Sequence, residues 1–119
     1  MNLRDFINET GPVKSVDLKV DRAEVKLLND IDMNCSPYVR TVMVELTSRK
    51  VPMIRVDLTD VPHMDSSGLA TLVEALQRVK RYNGNLVIFG LQQRVRSVFE
   101  IAKLTELFTI EGGAATDHG

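Results

Sequence analysis

A short polar turn, Asp65-Ser66-Ser67-Gly68, carries the side chains of this chain that are best suited to chemistry. An apolar strand pattern ending at Leu58 precedes the turn, and an amphipathic helix pattern beginning at Leu69 follows it. Junctions between a strand and a helix are where open α/β proteins usually bind ligands. The arrangement therefore predicts an exposed serine hydroxyl, that of Ser66, at the positive end of a helix.

Nucleophilic catalysis by Ser66 is disfavoured. A serine nucleophile needs a base within hydrogen-bond reach, and the chain has only two histidines, His63 and His118. His118 lies in a polar C-terminal tail, and Met64 stands where a nucleophile elbow would have its first glycine. We therefore predict no catalytic residue, and His63 is interpreted as a surface histidine.

Metal and nucleotide sites are also disfavoured. Asp57, Asp60 and Asp65 lie near one strand end and could in principle hold Mg²⁺. Asp57 alternates with core positions, however, and Asp60 has the character of a turn residue. The chain lacks a histidine and cysteine cluster and a phosphate-binding glycine motif. The sequence therefore predicts no metal and no cofactor.

A phosphoserine switch at Ser66 requires fewer specific residues than catalysis, metal binding or nucleotide binding. A phosphoryl group adds about −1.5 to −2 charges, and a helix N-terminus tolerates that charge locally. A partner packed over Ser66 would then meet a bulky dianion beside Asp65 and dissociate without any unfolding of the domain. The alternative is that Ser66 serves only as the helix N-cap.

The composition of the chain disfavours further classes of function. The chain has 119 residues, which suits one domain, and a net charge of −1, which provides no strong field for nucleic acid or an anionic membrane. The single cysteine, Cys35, excludes an internal disulfide. No apolar run is long enough to span a membrane, and the N-terminus lacks a signal-peptide pattern. We therefore expect a cytoplasmic protein without membrane insertion or nucleic-acid binding.

The periodicity predicts the order β-β-α-β-α-β-α-β and hence an α/β fold with a mixed sheet of four or five strands and packed helices. We expect a single domain over residues 15–111, an N-terminal arm over 1–14 and a disordered tail over 112–119. The arm could form one helical turn on the body or be mobile.

Three local features give sharper expectations. Val16, Leu18 and Val20 alternate with polar residues and predict the inward face of the first strand. The Ser36-Pro37 pair predicts an N-cap followed by the first helical residue. The run from 53 to 58 is apolar on both sides of an arginine and an aspartate, which predicts a central strand covered on both faces.

The turn also carries a family resemblance. The segment from Met64 to Leu69 resembles the phosphoacceptor signature of STAS domains, in particular the bacterial anti-sigma factor antagonists. The similarity extends over residues 16–111. It includes a turn before the first helix in which Asp32 matches the family pattern, while Asn29 occupies a position where the family usually has glycine.

The resemblance implies a regulatory role without catalysis. The unphosphorylated chain would bind an anti-sigma factor that is also a serine kinase and so release a sigma factor. Phosphorylation of Ser66 would end binding, and a PP2C-type phosphatase would reset the protein. The implied partner-binding residues are Asp32, Met64, Asp65, Ser67 and Gly68. The alternative within the family is a subunit of a lipid-transport ABC system or of another signalling complex, acting as a constitutive interaction module.

Overall fold

The computed structural model describes residues 3–111, which form a 3-10 helix, five strands and three α-helices. The 3-10 helix covers Leu3–Phe6. The strands are β1 (Val13–Leu18), β2 (Arg22–Leu28), β3 (Met53–Asp60), β4 (Asn85–Phe89) and β5 (Thr109–Glu111). The helices are α1 (Ser36–Ser48), α2 (Ser66–Lys80) and α3 (Gln93–Ile101). This order confirms the predicted α/β arrangement.

The five strands form one mixed sheet in which spatial order follows chain order, β1-β2-β3-β4-β5. β1 and β2 pair as an antiparallel hairpin, and the later neighbours are parallel. Parallel neighbours require crossover connections, which α1, α2 and α3 supply. The carboxyl ends of β2, β3 and β4 consequently meet at one edge of the sheet, and each leads into the loop before a helix.

One face of the sheet carries the core. Ile54, Val56 and Leu58 of β3 are fully buried and belong to a single apolar cluster that includes residues from all three α-helices. The other face of β3 carries Arg55 and Asp57, which are only partly buried. The prediction that β3 is covered on both faces is therefore wrong, because the charged residues within the run mark a face exposed to water.

An ion-pair network crosses this second face of the sheet. The guanidinium of Arg55 lies 2.8 Å from a carboxylate oxygen of Glu111 and 3.5 Å from one of Glu24. It also lies over the ring of Phe89, 4.7 Å from the ring centroid. These contacts tie β3 to β2 on one side and to the short final strand on the other. Arginine suits this position because its planar group can pair and stack at once.

The first strand is displaced from its predicted register. β1 begins at Val13, which is buried, and ends at Leu18, so Val20 falls in the hairpin turn and is fully exposed. Val16 is half-buried, and Leu18 is 38% exposed. The alternating pattern identified a strand correctly, but edge strands bury less than their apolar content suggests.

The start of α1 differs by one residue from the prediction. Cys35 occupies the N-cap position without a side-chain capping bond, and Ser36 is the first helical residue. The backbone N–H groups of Cys35 and Ser36 both donate to the carbonyl of Asp32, at 3.1 and 2.8 Å. This tight turn draws Ser36 into the helix and buries it.

The N-terminal arm, as far as residues 3–12 show it, packs on the domain. Leu3 is buried at the core, and the amide of Asn29 donates to the carbonyl of Thr10 at 2.7 Å. Asn29 has a φ of 70°, a left-handed conformation that asparagine tolerates better than most residues. Asparagine is therefore compatible with the turn at this position, and its side chain adds a hydrogen bond to the arm.

None of the helices within residues 3–111 is both long enough and apolar enough to cross a membrane.

Candidate functional site

Two loops meet at the carboxyl edge of the sheet. Ile31, after β2, forms an isolated parallel bridge with Met64, after β3. The N–H of Ile31 donates to the carbonyl of His63 at 3.0 Å, and the N–H of Asp65 donates to the carbonyl of Ile31 at 3.1 Å. These two bonds fix the loop that contains Asp32 beside the loop that contains Ser66.

Asp65 is the N-cap of α2. Its Oδ1 accepts hydrogen bonds from the backbone N–H of Ser67 at 2.9 Å and from that of Gly68 at 3.2 Å. The hydroxyl of Ser67 donates to the same oxygen at 2.6 Å. Two otherwise unpaired N–H groups of the first turn are thereby satisfied, so the helix begins at a defined residue.

Ser66 is the first residue of α2 and is exposed. Within residues 3–111, no group forms a hydrogen bond with its hydroxyl. The alternative in which Ser66 only caps the helix is wrong, because Asp65 fills that role. The hydroxyl instead lies exposed at the first residue of a capped helix.

The hydrogen bond from the Ser67 hydroxyl makes the largest contribution to holding the pKa of Asp65 below its ordinary value. Partial burial opposes this effect, while the backbone N–H groups of Gly68, Ser67 and Met33 lower the pKa further. Asp65 therefore carries a negative charge at neutral pH, directly beside Ser66.

Removing the cap should destabilise the domain. We expect Asp65→Ala to lower the free energy of unfolding at pH 7 by about 1 kcal/mol, the usual cost of losing an N-cap side chain. A lowered folded-state pKa stabilises the fold above the ordinary value of 3.8, and this stabilisation disappears as the pH falls through the folded value. The difference between the two proteins should therefore shrink below about pH 4.

Urea titrations from pH 2.5 to 8 would measure this difference. Asp17→Ala is the control, since Asp17 is an exposed aspartate on β1, far from any helix start. A loss as large in Asp17→Ala, or a difference for Asp65→Ala that stays constant down to pH 2.5, would contradict the capping role.

Met64 and Gly68 support the loop from beneath. Met64 is only 1% exposed, so its side chain faces the core, where the sequence prediction had it contact a partner. Gly68 is also buried, and a Cβ there would lie 2.7 Å from Cγ of Met64 and 3.0 Å from Cγ2 of Ile31. Glycine at this position lets helix and bridge pack closely, so its role is internal.

Asp32 shapes the adjacent loop. Its Oδ1 accepts a hydrogen bond from the N–H of Asn34 at 2.9 Å, and the side chain is half-buried. The Sγ of Cys35 packs against the same turn, at 3.3 Å from the carbonyl of Asp30. Burial raises the pKa of the Cys35 thiol, which keeps it protonated at neutral pH. Asp32 thus presents part of its carboxylate to solvent from a fixed turn.

The acidic residues considered for a metal are engaged otherwise. Lys26 lies 3.2 Å from a carboxylate oxygen of Asp57 and 3.1 Å from one of Asp60. Among the residues that the structure describes, no group of three or more potential ligands is arranged to hold a metal ion. His63 is exposed, and within the described chain nothing forms a hydrogen bond with its imidazole. Among residues 3–111, no group is therefore positioned to orient it as a base.

Two exposed apolar side chains near the site were missed at the sequence level. Met33 is 71% exposed, and Tyr38, in the first turn of α1, is 53% exposed. A methionine between Asp32 and Asn34 in a polar turn has no core to enter. An apolar side chain in an otherwise polar turn is therefore the sequence feature that could have predicted an exposed contact surface here.

The fold and the loop that bears Ser66 define a small α/β domain organised around an exposed serine. The chain belongs to the STAS domain family, whose family model matches residues 16–115. It is similar to the anti-sigma-B factor antagonist of Listeria monocytogenes, with 30% identity over 100 residues that cover 82% of this chain and 88% of the relative. The predicted resemblance is thus confirmed.

Solved structures agree on the fold. A putative anti-sigma factor antagonist from Thermotoga maritima superposes with a TM-score of 0.76 at 17% identity, covering 87% of this chain and 91% of that one. The Bacillus cell fate determinant SpoIIAA in its phosphorylated form gives a TM-score of 0.67 at 13% identity, covering 86% and 94% of the two chains.

Proposed function

We propose that this chain is an anti-sigma factor antagonist controlled by phosphorylation of Ser66. With Ser66 free, it binds a cytoplasmic anti-sigma factor that is also a serine kinase, and a sigma factor is released. The kinase uses ATP to phosphorylate Ser66 and so ends binding, and a PP2C-type phosphatase restores the free serine. In this cycle the chain is a binder and a substrate, and it catalyses no reaction.

The exposed hydroxyl of Ser66 is the observation that carries the proposal. A kinase needs an accessible oxygen on a segment of defined shape, and Ser66 meets both conditions at the start of α2. Ser67, its neighbour, is half-buried and holds its hydroxyl against Asp65 at 2.6 Å. The two serines therefore differ in availability, which favours Ser66 as the phosphoacceptor.

The surroundings of Ser66 explain how a phosphoryl group would act on a partner. Asp65 already occupies the N–H groups of Ser67 and Gly68, so a phosphate on Ser66 could not fold back onto them. The dianion would instead project outward beside the charged Asp65 carboxylate. A partner packed over this loop would have to desolvate two adjacent negative groups, which strongly disfavours binding.

The relatives support the same assignment. The similar protein of Listeria monocytogenes is named for antagonism of an anti-sigma-B factor. SpoIIAA has been solved in a phosphorylated form, so a domain of this fold accommodates the modification. Asp32, Asp65 and Ser67 form the proposed docking surface around Ser66, with Met64 and Gly68 supporting it from inside. The alternative of a constitutive module in a lipid-transport ABC system has no such supporting observation.

Phosphorylation in vitro tests the proposal. The purified chain would be incubated with Mg-ATP and each candidate anti-sigma kinase of the same genome, and phosphate would be mapped by intact mass and peptide fragmentation. We expect one phosphoryl group on Ser66, absent from Ser66→Ala and retained in the matched variant Ser67→Ala. Phosphate on Ser67, or none with any kinase, would contradict the proposal, and a pull-down of membrane ATPase components would then test the alternative.

A further inference from the structure

A cavity of about 340 Å³ lies between the N-terminal arm and the first turn of α1. Its walls are Asp5, Phe6, Ile7, Pro12 and Tyr38, together with the backbone near Gly11. The volume is at the small end of the range for small-molecule sites, which suits one inserted side chain better than a large ligand. Phe6 and Ile7 also pack against the core, so the wall that they form is fixed.

The chemistry of the cavity favours a cation with an apolar stem. Two aromatic rings and an isoleucine supply apolar walls, Asn8 supplies a polar amide, and Asp5 is the one lining residue among residues 3–111 that is charged at neutral pH. Asp30 and Asp32 follow on the adjoining loop, and no basic side chain of residues 3–111 forms an ion pair with any of the three. An arginine or lysine places its methylene groups on apolar walls and its charge at the rim.

The arm that forms most of the cavity is linked by hydrogen bonds to the loop beside the Ser66 site. The arm is bonded to the end of β2, since the N–H of Leu28 donates to the carbonyl of Pro12 at 2.9 Å and Asn29 holds Thr10. Two residues beyond Asn29, Ile31 is bonded to the loop that leads to Ser66. The arm lies on the β1 side of this loop, and Ser66 on the β3 side. Exposed Met33 and Tyr38 follow Ile31 along the chain, in the same loop and in the first turn of α1.

We propose that this cavity receives an arginine or lysine side chain of the anti-sigma factor, so that the N-terminal arm forms one border of the docking surface. The inference rests on the proposed function and adds a second contact to it. The charge of Asp5 and the ring of Tyr38 hold the basic group, by an ion pair and by cation–π attraction. The contact is separate from Ser66, so it contributes affinity without sensing phosphorylation.

A fragment titration tests the cavity without any partner protein. N-acetyl-arginine amide would be titrated into the ¹⁵N-labelled chain, with the neutral N-acetyl-citrulline amide as matched control. We expect saturable shifts at Phe6, Ile7 and Tyr38, with binding at least fivefold weaker for the citrulline compound and for Asp5→Asn. Equal binding of the two compounds, or shifts unrelated to these residues, would overturn the inference.

Affinity for the kinase that modifies Ser66 tests the contact in the complex. We expect Asp5→Asn and Tyr38→Ala each to weaken binding about tenfold, while Tyr38→Phe, which keeps the ring, stays near the wild type. Asp21→Asn, on the exposed hairpin turn, is the control for charge and should leave affinity unchanged. Tyr38 is largely exposed, so its replacement leaves the core intact.

These measurements distinguish failure of the inference from failure of the proposed function. If Ser66→Glu abolishes binding while Asp5→Asn and Tyr38→Ala do not weaken it, the inference fails and the proposed function stands. If no anti-sigma kinase binds the wild type, the proposed function fails, and the inference fails with it whatever the fragment result. A dimer of the chain that is lost in Asp5→Asn, detected by sedimentation, would assign the cavity to a second copy and would also overturn the inference.

Discussion

Ser66→Glu should weaken binding to the anti-sigma factor by about 100-fold or more, whereas Ser66→Ala should bind as tightly as the unphosphorylated wild type. The reason is desolvation, because glutamate places a second negative charge beside Asp65 in a surface that the partner must cover. Burying an unpaired charge costs about 3 kcal/mol, and that free energy corresponds to a factor of about 100 in affinity. Isothermal titration calorimetry at constant salt would measure the difference.

The effect should depend on position as well as charge. Ser48→Glu is the matched control, since Ser48 is also an exposed helical serine but lies at the last residue of α1. We expect its affinity to equal that of the wild type. Equal affinity of Ser66→Glu and Ser66→Ala would refute the switch, and a comparable loss in Ser48→Glu would reduce it to a general effect of net charge.

Gly68→Val should lower the free energy of unfolding by about 2 kcal/mol. Even the Cβ alone would stand 2.7 Å from Cγ of Met64 and 3.1 Å from the carbonyl oxygen of Ile31, which is backbone and cannot swing aside. Overpacking of this kind costs about 1–3 kcal/mol, and the better helix propensity of valine recovers only a few tenths of that. Urea unfolding followed by circular dichroism would measure the loss.

The same substitution should impair the site. Pushing α2 away from Ile31 would separate the two bridged loops, so phosphorylation of Ser66 by the kinase should slow along with the loss of stability. Ala70→Val, two residues further along the same helix but on its exposed side, is the control and should cost only about 0.5 kcal/mol in helix propensity while leaving phosphorylation near wild type. If Gly68→Val were as stable as Ala70→Val, the close packing at this position would be unimportant.

The element order was predictable because each strand and helix carries a clear periodicity. The faces of the sheet were harder to assign. Arg55 and Asp57 alternate with Ile54, Val56 and Leu58, and that alternation was the sign of a one-sided core, but the high apolar content of the run obscured it. The position of Val20 depends on where a hairpin turns, and local sequence determines that weakly.

At the site, the sequence indicated the helix start and the loop but assigned the roles within it incompletely. Asp65 and Ser66 are both good capping residues, and only the backbone conformation shows that Asp65 caps α2. The buried position of Met64 depends on the bridge to Ile31, a contact between loops 33 residues apart in the numbering. The packing of the N-terminal arm likewise depends on a long-range bond, from Asn29 to Thr10.

At the start of α2, Asp65 holds the N–H groups of the first turn, and a different residue, Ser66, presents the exposed hydroxyl. In the proposed cycle, adding or removing the phosphoryl group consequently breaks no structural bond of the domain. The response time would then depend on the turnover of the kinase and the phosphatase, with no hydrogen bond of the helix cap to be broken. The fraction of the protein that carries phosphate would therefore reflect the recent balance between the activities of those two enzymes.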